Sequence, residues 1–339
     1  MTETVNINTS PALTFAKLNM NGDRISLNVS SLKGENVEEK ISGEGLQENG
    51  IYYDELPEGA SGEDLIRYTD PFVKAMTLTE DSKVTLNFSG AAAVKRAITV
   101  PAGKEVELIE VTEGYSDAAF NSTTYILEKG AKLKLVRIQI LDKRSLYIDD
   151  LRARLYADAS LEVVRIDLGA IKSYIASHVF LEGKSAEYIA HGDYLLNREQ
   201  RLDINMIAEH IAPDTVSDMR YDGVLLDSAS KIFRGTLDFK SGCKGAKGSE
   251  NEEVVLLSED VGNQSLPIIL CGEEDVEGNH GASVGKISDE IIYYLATRGF
   301  NEEEATKLLI RSKFNATVSN IPEGELRDEV NRLIDGVLA

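Results

Sequence analysis

Several things are scarce in this chain of 339 residues. It has no tryptophan, four histidines and two cysteines, Cys243 and Cys271. The two thiols lie 271 − 243 = 28 residues apart, so they form neither a disulfide framework nor a Cys-x-x-Cys pair. Such cysteine usage points to a reducing cytoplasm. Basic residues are few: Lys+Arg is 36 against 57 Asp+Glu, a formal charge of 36 − 57 = −21. Gripping a phosphate backbone takes clustered Lys and Arg, so nucleic acid is excluded as a partner, and anionic membranes are repelled. Long apolar runs are missing too. None approaches the roughly 20 residues of a membrane span, and "MTETVNINTS" has no basic start or apolar run of a secretion signal.

What is present falls into three textures. Residues 1–70 mix short alternating runs with polar breaks and read as strands and turns at a domain edge, with Glu38 to Lys40 on a solvated surface. Residues 71–272 read as strands throughout. "AKLKLVRIQIL" at 131 and "ASLEVVRIDLG" at 159 start 159 − 131 = 28 residues apart and share Ala-x-Leu-x-(Leu/Val)-Val-Arg-Ile. Further copies begin at Ala186 and Ala229, and "AGKEVELIEV" at Ala102 fits the spacing. Such a period predicts a strand solenoid whose coils stack on one another. Within each copy the apolar parity switches: Leu133 and Leu135, then Val136, Ile138 and Ile140. Because strand side chains alternate with period two, the switch predicts a bulge or corner.

Residues 273–339 form a junction loop and a helical domain. Ser288 is expected to cap one helix that Gly299 stops, and Asn301 with Glu304 resembles a capping box opening a second. Pro322 is expected to start a third, with Leu326, Val330, Leu333, Ile334 and Val337 on one face. On the first helix Ile291, Leu295 and Tyr294 are expected to face the body, leaving Tyr293 and Arg298 exposed.

The densest candidate for chemistry is "GNHGASVGK" at 278–286. A phosphate loop needs Gly-x4-Gly-Lys-(Ser/Thr). Here three residues separate Gly281 from Gly285, and Ile287 stands where a hydroxyl is required. His280 remains either a reactive group or a local structural one. His178, His191 and His210 lack metal-ligand spacing and read as structural. Cys271, after "LPIIL", reads as a small core residue. Asp149–Asp150 resembles the carboxylate pair of a sugar-cleaving enzyme, but neighbours on a strand point to opposite faces.

The C-terminal third resembles the SufB/SufD family of iron–sulfur cluster assembly scaffolds. The residues that carry the likeness are Pro267, Asp275–Val276, His280–Gly281–Ala282, Gly285, Tyr294–Leu295, Arg298–Gly299, Glu304–Ala305 and Phe314. "HIAPDTVSDMRYDGVLLDSASKIFRGTLDF" and "VVRIDLG…SHVFLEGKSAEYIAHGDY" extend it over about 75–339. The resemblance implies a mainly β fold: a right-handed parallel β-helix followed by a small helical domain. Longer members carry an N-terminal helical domain that this chain is expected to lack in large part. It also implies partners: a SufC-type ABC ATPase docked on the helical tail around Tyr293, Tyr294, Arg298 and Gly299, and a SufB-like chain paired at the end of the β-helix, with a nascent cluster built between them.

The branch follows from two departures. SufB chains read His-Glu-Ala-Thr at this loop, whereas this one reads His280-Gly281-Ala282-Ser283, the SufD-type form. SufB's functional cysteine falls here on Glu252 or Glu253. SufD relatives often carry a cysteine two residues before the histidine, where this chain has Gly278. The resemblance makes His280 a candidate metal ligand of a shared cluster, the other ligands coming from a partner, since clusters are held mainly by thiolates. The alternative for His280 is a role in shaping the interface. No cofactor bound stably by the isolated chain is expected, and the expected role is a scaffold rather than an enzyme. Two other functions compete: a homodimeric scaffold working with the ATPase alone, and a β-helix enzyme acting on polysaccharide.

Overall fold

Strand-forming Val, Ile, Leu and Thr recur at period two along most of the sequence, and the strands they build set the architecture. In a computed structural model, which describes residues 1–12, 16–33, 35–52, 65, 69 and 73–337, the chain is a parallel β-solenoid of about 7 turns with three helices at its C-terminus. The expected boundary at 70/71 lies outside the described residues.

Two stacks of parallel strands form the solenoid. One holds β7 (Glu105–Gly114), β9 (Lys132–Gln139), β11 (Ser160–Asp167), β13 (Glu187–Leu196), β15 (Val216–Leu225), β17 (Lys247–Leu256) and β19 (Glu277–Gly285). The other holds β6 (Ser82–Val100), β8 (Ala119–Leu127), β10 (Leu146–Leu155), β12 (Lys172–Leu181), β14 (Arg201–His210), β16 (Ser230–Phe239) and β18 (Gly262–Cys271). Three of the four alanine-led copies, together with the stretch at Ala102, lie in the first stack. The copy at Ala229 belongs to the second: β16 pairs with β14 and β18, and the true successor of β13 is β15. The shared alanine marks a corner. Ala131, Ala159, Ala186 and Ala246 are fully buried and close a turn by donating to the carbonyl three residues back. The residue before each is left-handed or glycine: Gly130 (φ 68°), Asp158 (φ 59°), Ser185 (φ 57°) and Gly245 (φ 78°).

The parity switch is neither a bulge nor a corner. β11 and β9 pair without a register break from Ser160–Lys132 to Asp167–Gln139. Leu133, Leu135, Leu161 and Val163 face the solenoid interior, and the same inward parity continues as Arg137 and Arg165. Val136, Ile138, Val164 and Ile166 face outward, where helices cover them. The inner face turns polar just where the outer face becomes a buried one.

Those covering helices are α2 (Glu302–Val318) and α3 (Glu325–Val337), preceded by α1 (Asp289–Ala296). Ile310, Phe314, Val318, Val330 and Ile334 pack on the outer face of the first stack. Ser288 caps α1 by accepting from the Glu290 amide at 3.3 Å. Gly299, at φ 97°, turns the chain after it. Asn301 and Glu304 exchange both capping-box bonds at 2.9 Å. The third helix starts at Glu325, three residues beyond Pro322, because Gly324 at φ 139° breaks the run. Leu333 lies exposed rather than on the packed face.

An N-terminal hairpin, β1 (Thr2–Ile7) and β2 (Asp23–Asn28), covers the outer face of the second stack. Val5, Ile7, Ile25 and Leu27 pack there on Phe120, Ile148 and Tyr174. The Asn8 amide donates to the Asp203 carboxylate at 2.8 Å, Arg234 pairs with Asp203 at 2.5 Å, and Arg234 also donates to the Met20 carbonyl. At the first coil, β3 (Glu35–Ser42) runs antiparallel to β6, and β4 (Leu46–Tyr52) antiparallel to β5 (Val73–Leu78). Glu39 of the expected solvated run is half-buried and pairs with Arg96 at 3.3 Å.

Candidate functional site

The stretch 277–285, expected as a junction loop, is instead β19, the last strand of the solenoid. It pairs with β17, as β18 pairs with β16, and among the described residues no later strand pairs with either. His280 therefore stands on a terminal coil. It is the register neighbour of Glu250 and continues an inward column: Leu108, Leu135, Val163, Ala190, Met219, Glu250, His280. The interior beneath is closed, but His280, Val284 and Ile269 on the final coil are exposed. Cys271 is exposed as well, against the expectation of a core residue, because among the described residues no further coil stacks on the one that carries it. Cys243, one coil earlier, is buried.

Directly below His280 the interior is polar. Glu252 pairs with Lys231 and accepts from Ser265. Glu252 faces inward and Glu253 outward, so the two candidates for the SufB cysteine position part company here. Glu250 is buried with one carboxylate oxygen unpartnered, and burial pushes its carboxyl up to about 8, with Glu252 adding to the effect and Lys231 opposing it. Its carboxyl occupies the place of a side chain at Gly235: a Cβ there would lie 2.2 Å from the Glu250 carboxyl carbon. Gly281 has no left-handed φ, and a Cβ on it would meet only the Asn251 amide oxygen, at 2.8 Å. Its backbone therefore does not require glycine.

Further down, three cations and three carboxylates line the interior. Arg96 pairs with Glu110, Arg137 with Glu110 and with Asp149 at 2.7 Å, and Arg165 with Asp149 and with Asp167 at 2.7 Å. Buried charges persist only when paired in this way. Burial opposes the ionisation of Glu110, yet Arg137 and Arg96 outweigh it and hold the carboxyl down to about 2. Asp149 is locked into this ladder while Asp150 points to the opposite face and pairs with Arg152 at 3.2 Å, so the two are not a catalytic carboxylate pair. Periodicity had no means of finding the ladder, because the partners meet only across the coil.

The other histidines are placed apart. His210 is fully buried, bonded at both ring nitrogens by Thr215 and Ser217, stacked on Phe239, and pushed by burial down to about 4. His178 bonds Glu209 at 2.9 Å. His191 is exposed at the edge of a cavity under α2.

The tail residues form a separate surface on α1 and the turn that follows it. Tyr293 is 74% and Tyr294 56% exposed. Arg298 lies 5.2 Å from the Tyr294 ring centre and donates to its hydroxyl at 3.2 Å. Ile291 and Tyr294 do not face the body as expected; Ile292 and Leu295 are the half-buried side chains, and α1 has no fully buried one.

Comparison with known proteins identifies the family. A family model described as "SUF system FeS cluster assembly, SufBD core domain" matches residues 84–313. An iron–sulfur cluster assembly SufBD family protein of Mycobacterium leprae is 24% identical over 223 residues, covering 63% of this chain and 57% of that protein. The iron–sulfur cluster assembly protein SufD of Bacillus subtilis is 34% identical over 113 residues, 33% of this chain and 26% of that protein. A SufBD family protein of Mycobacterium tuberculosis is 23% identical over 241 residues, 69% of this chain and 60% of that protein. The chain thus spans about a quarter to three-fifths of the length of these relatives. With the core-domain match running from the first solenoid coil into α2, the chain belongs to the SufBD family of iron–sulfur cluster assembly proteins.

Proposed function

We propose that this chain is a non-catalytic scaffold of the SufD type, joined through the open end of its solenoid to a SufB-like chain and bound on its helical tail by a SufC-type ABC ATPase. The observation that carries the reading is the placement of His280 on the inward column of an unpaired terminal coil. One imidazole cannot hold a cluster, which takes mainly thiolate ligands. A second chain seated against β18 and β19 would bring its own ligands opposite His280, with the nascent cluster held between the chains as cargo. The exposed Ile269 and Val284 and the unpaired strand edge support pairing at this end. Tyr293, Tyr294 and Arg298, beside the turn at Gly299, suit the ATPase contact, since aromatic and arginine side chains anchor interfaces. Hydrolysis of ATP belongs to that partner, and the cytoplasm is the compartment that fits.

The test is anaerobic co-expression with the candidate ATPase and SufB-like chain, with and without His280→Ala. The reading predicts an intact complex whose iron and sulfide content falls severalfold in the variant. Unchanged loading would leave His280 with a structural role. The same open edge also suits a second copy of this chain. Its mass in solution, alone and with the ATPase, separates the self-paired scaffold from the mixed one.

A further inference from the structure

The seam between α2 and the outer face of the solenoid holds a half-open cavity of about 370 Å³. Its solenoid wall is a ladder of carboxylates. Asp193, Asp222 and Glu253 are register neighbours on β13, β15 and β17, stacked at the strand spacing of about 4.8 Å. Arg220 pairs with Asp222 at 2.9 Å and Glu253 at 3.4 Å, and Lys313 of α2 pairs with Glu253. Both cations thus serve the upper two carboxylates. Asp193, at the foot of the ladder, is 5% exposed and has Ile166 below it in register. Its Oδ2 has no hydrogen-bond partner among the described residues, and Thr317 of α2 lines the same cavity.

We propose that Asp193 is a proton-operated latch on α2: the helix seats against the solenoid while this carboxyl is neutral and loosens when it ionises. Seating the helix takes Asp193 out of water beside Asp222, which penalises the charged form and not the neutral one. Among the described residues, the charged groups that share its cavity are His191 on its own strand, Arg220 and Asp222 on β15, Glu253 on β17 and Lys313 on α2. Burial pushes the carboxyl up to about 7, with the nearby Thr317 hydroxyl opposing, Asp222 adding, and Arg220 and Lys313 opposing. The seated state therefore holds the proton more tightly than an unseated Asp, whose ordinary value is 3.8. Its contribution is complete below that ordinary value and is lost as pH rises through about 7. Between pH 6 and pH 8 the seat weakens about tenfold.

Hydrogen–deuterium exchange on the full chain tests this, with rates corrected for the intrinsic effect of pH. Wild-type α2 amides should lose about tenfold in protection from pH 6 to pH 8, while those of β9 and β11 hold. Asp193→Asn, a neutral isostere, should keep the low-pH protection at both values. His191→Gln should keep the wild-type loss. The proposal is overturned by a flat wild-type profile, by the same loss in Asp193→Asn, or by disappearance of the loss in His191→Gln. Should Asp193→Asn not fold, the wild-type profile and His191→Gln still decide.

Discussion

Gly192 and Tyr221 share one space inside the solenoid: a Cβ on Gly192 would lie 2.2 Å from the Tyr221 ring. Gly223 stands in the same relation to the Tyr194 ring, at 1.9 Å. Gly192→Ala is expected to cost about 1–3 kcal/mol as overpacking, and Tyr221→Leu in the same chain should recover much of it. Denaturant midpoints of the single and double variants measure the coupling; strict additivity would contradict it. Glu110 gives a pH signature. Its carboxyl is held near 2 when folded against an ordinary 4.5, so its contribution is full above pH 4.5 and is lost as pH falls toward 2. Glu110→Gln should flatten that part of the stability profile in acid titration of the fold. Neither residue announces its role in the sequence, since both act on partners a coil away.

At the scale of elements, the helical tail divides into a part that holds the fold and a part that faces outward. Removing residues 287–320 whole would strip Ile310, Phe314 and Val318 from the first stack and uncover a buried face. Substitutions on α1 are the cleaner probe. Tyr293→Ala with Arg298→Ala, just past the end of α1, should abolish co-purification of the ATPase while leaving the melting temperature within a degree or two, because both side chains are exposed. Capping was legible in sequence at Ser288 and at Asn301 with Glu304, because those signals are local. The solenoid was legible through its 28-residue echo and its corner alanines. The parity switch was visible but its cause was not: Val136 and Ile138 turn outward toward helices more than 160 residues later in the chain. The placement of "GNHGASVGK" escaped for the same reason. Its three glycines suggest a loop, yet pairing with β17 makes it a strand. The exposure of Cys271 depends on what does not stack above it, which no local pattern encodes.

Across the whole molecule, the two outer faces are covered and the two ends differ. The hairpin β1–β2 covers one stack, and α2 with α3 covers the other. The first coil carries antiparallel β3, whereas β18 and β19 present an edge that no later strand pairs among the described residues, bearing His280, Cys271, Ile269 and Val284. The scaffold reading rests on that asymmetry, and Cys271 is a native reporter of it. The most direct measurement is the alkylation rate of Cys271 in the isolated chain and in the complex with the SufB-like partner, with buried Cys243 as internal reference. Pairing at the open end predicts rapid modification of Cys271 in the free chain and at least tenfold slower modification in the complex. An equal rate in both would contradict it.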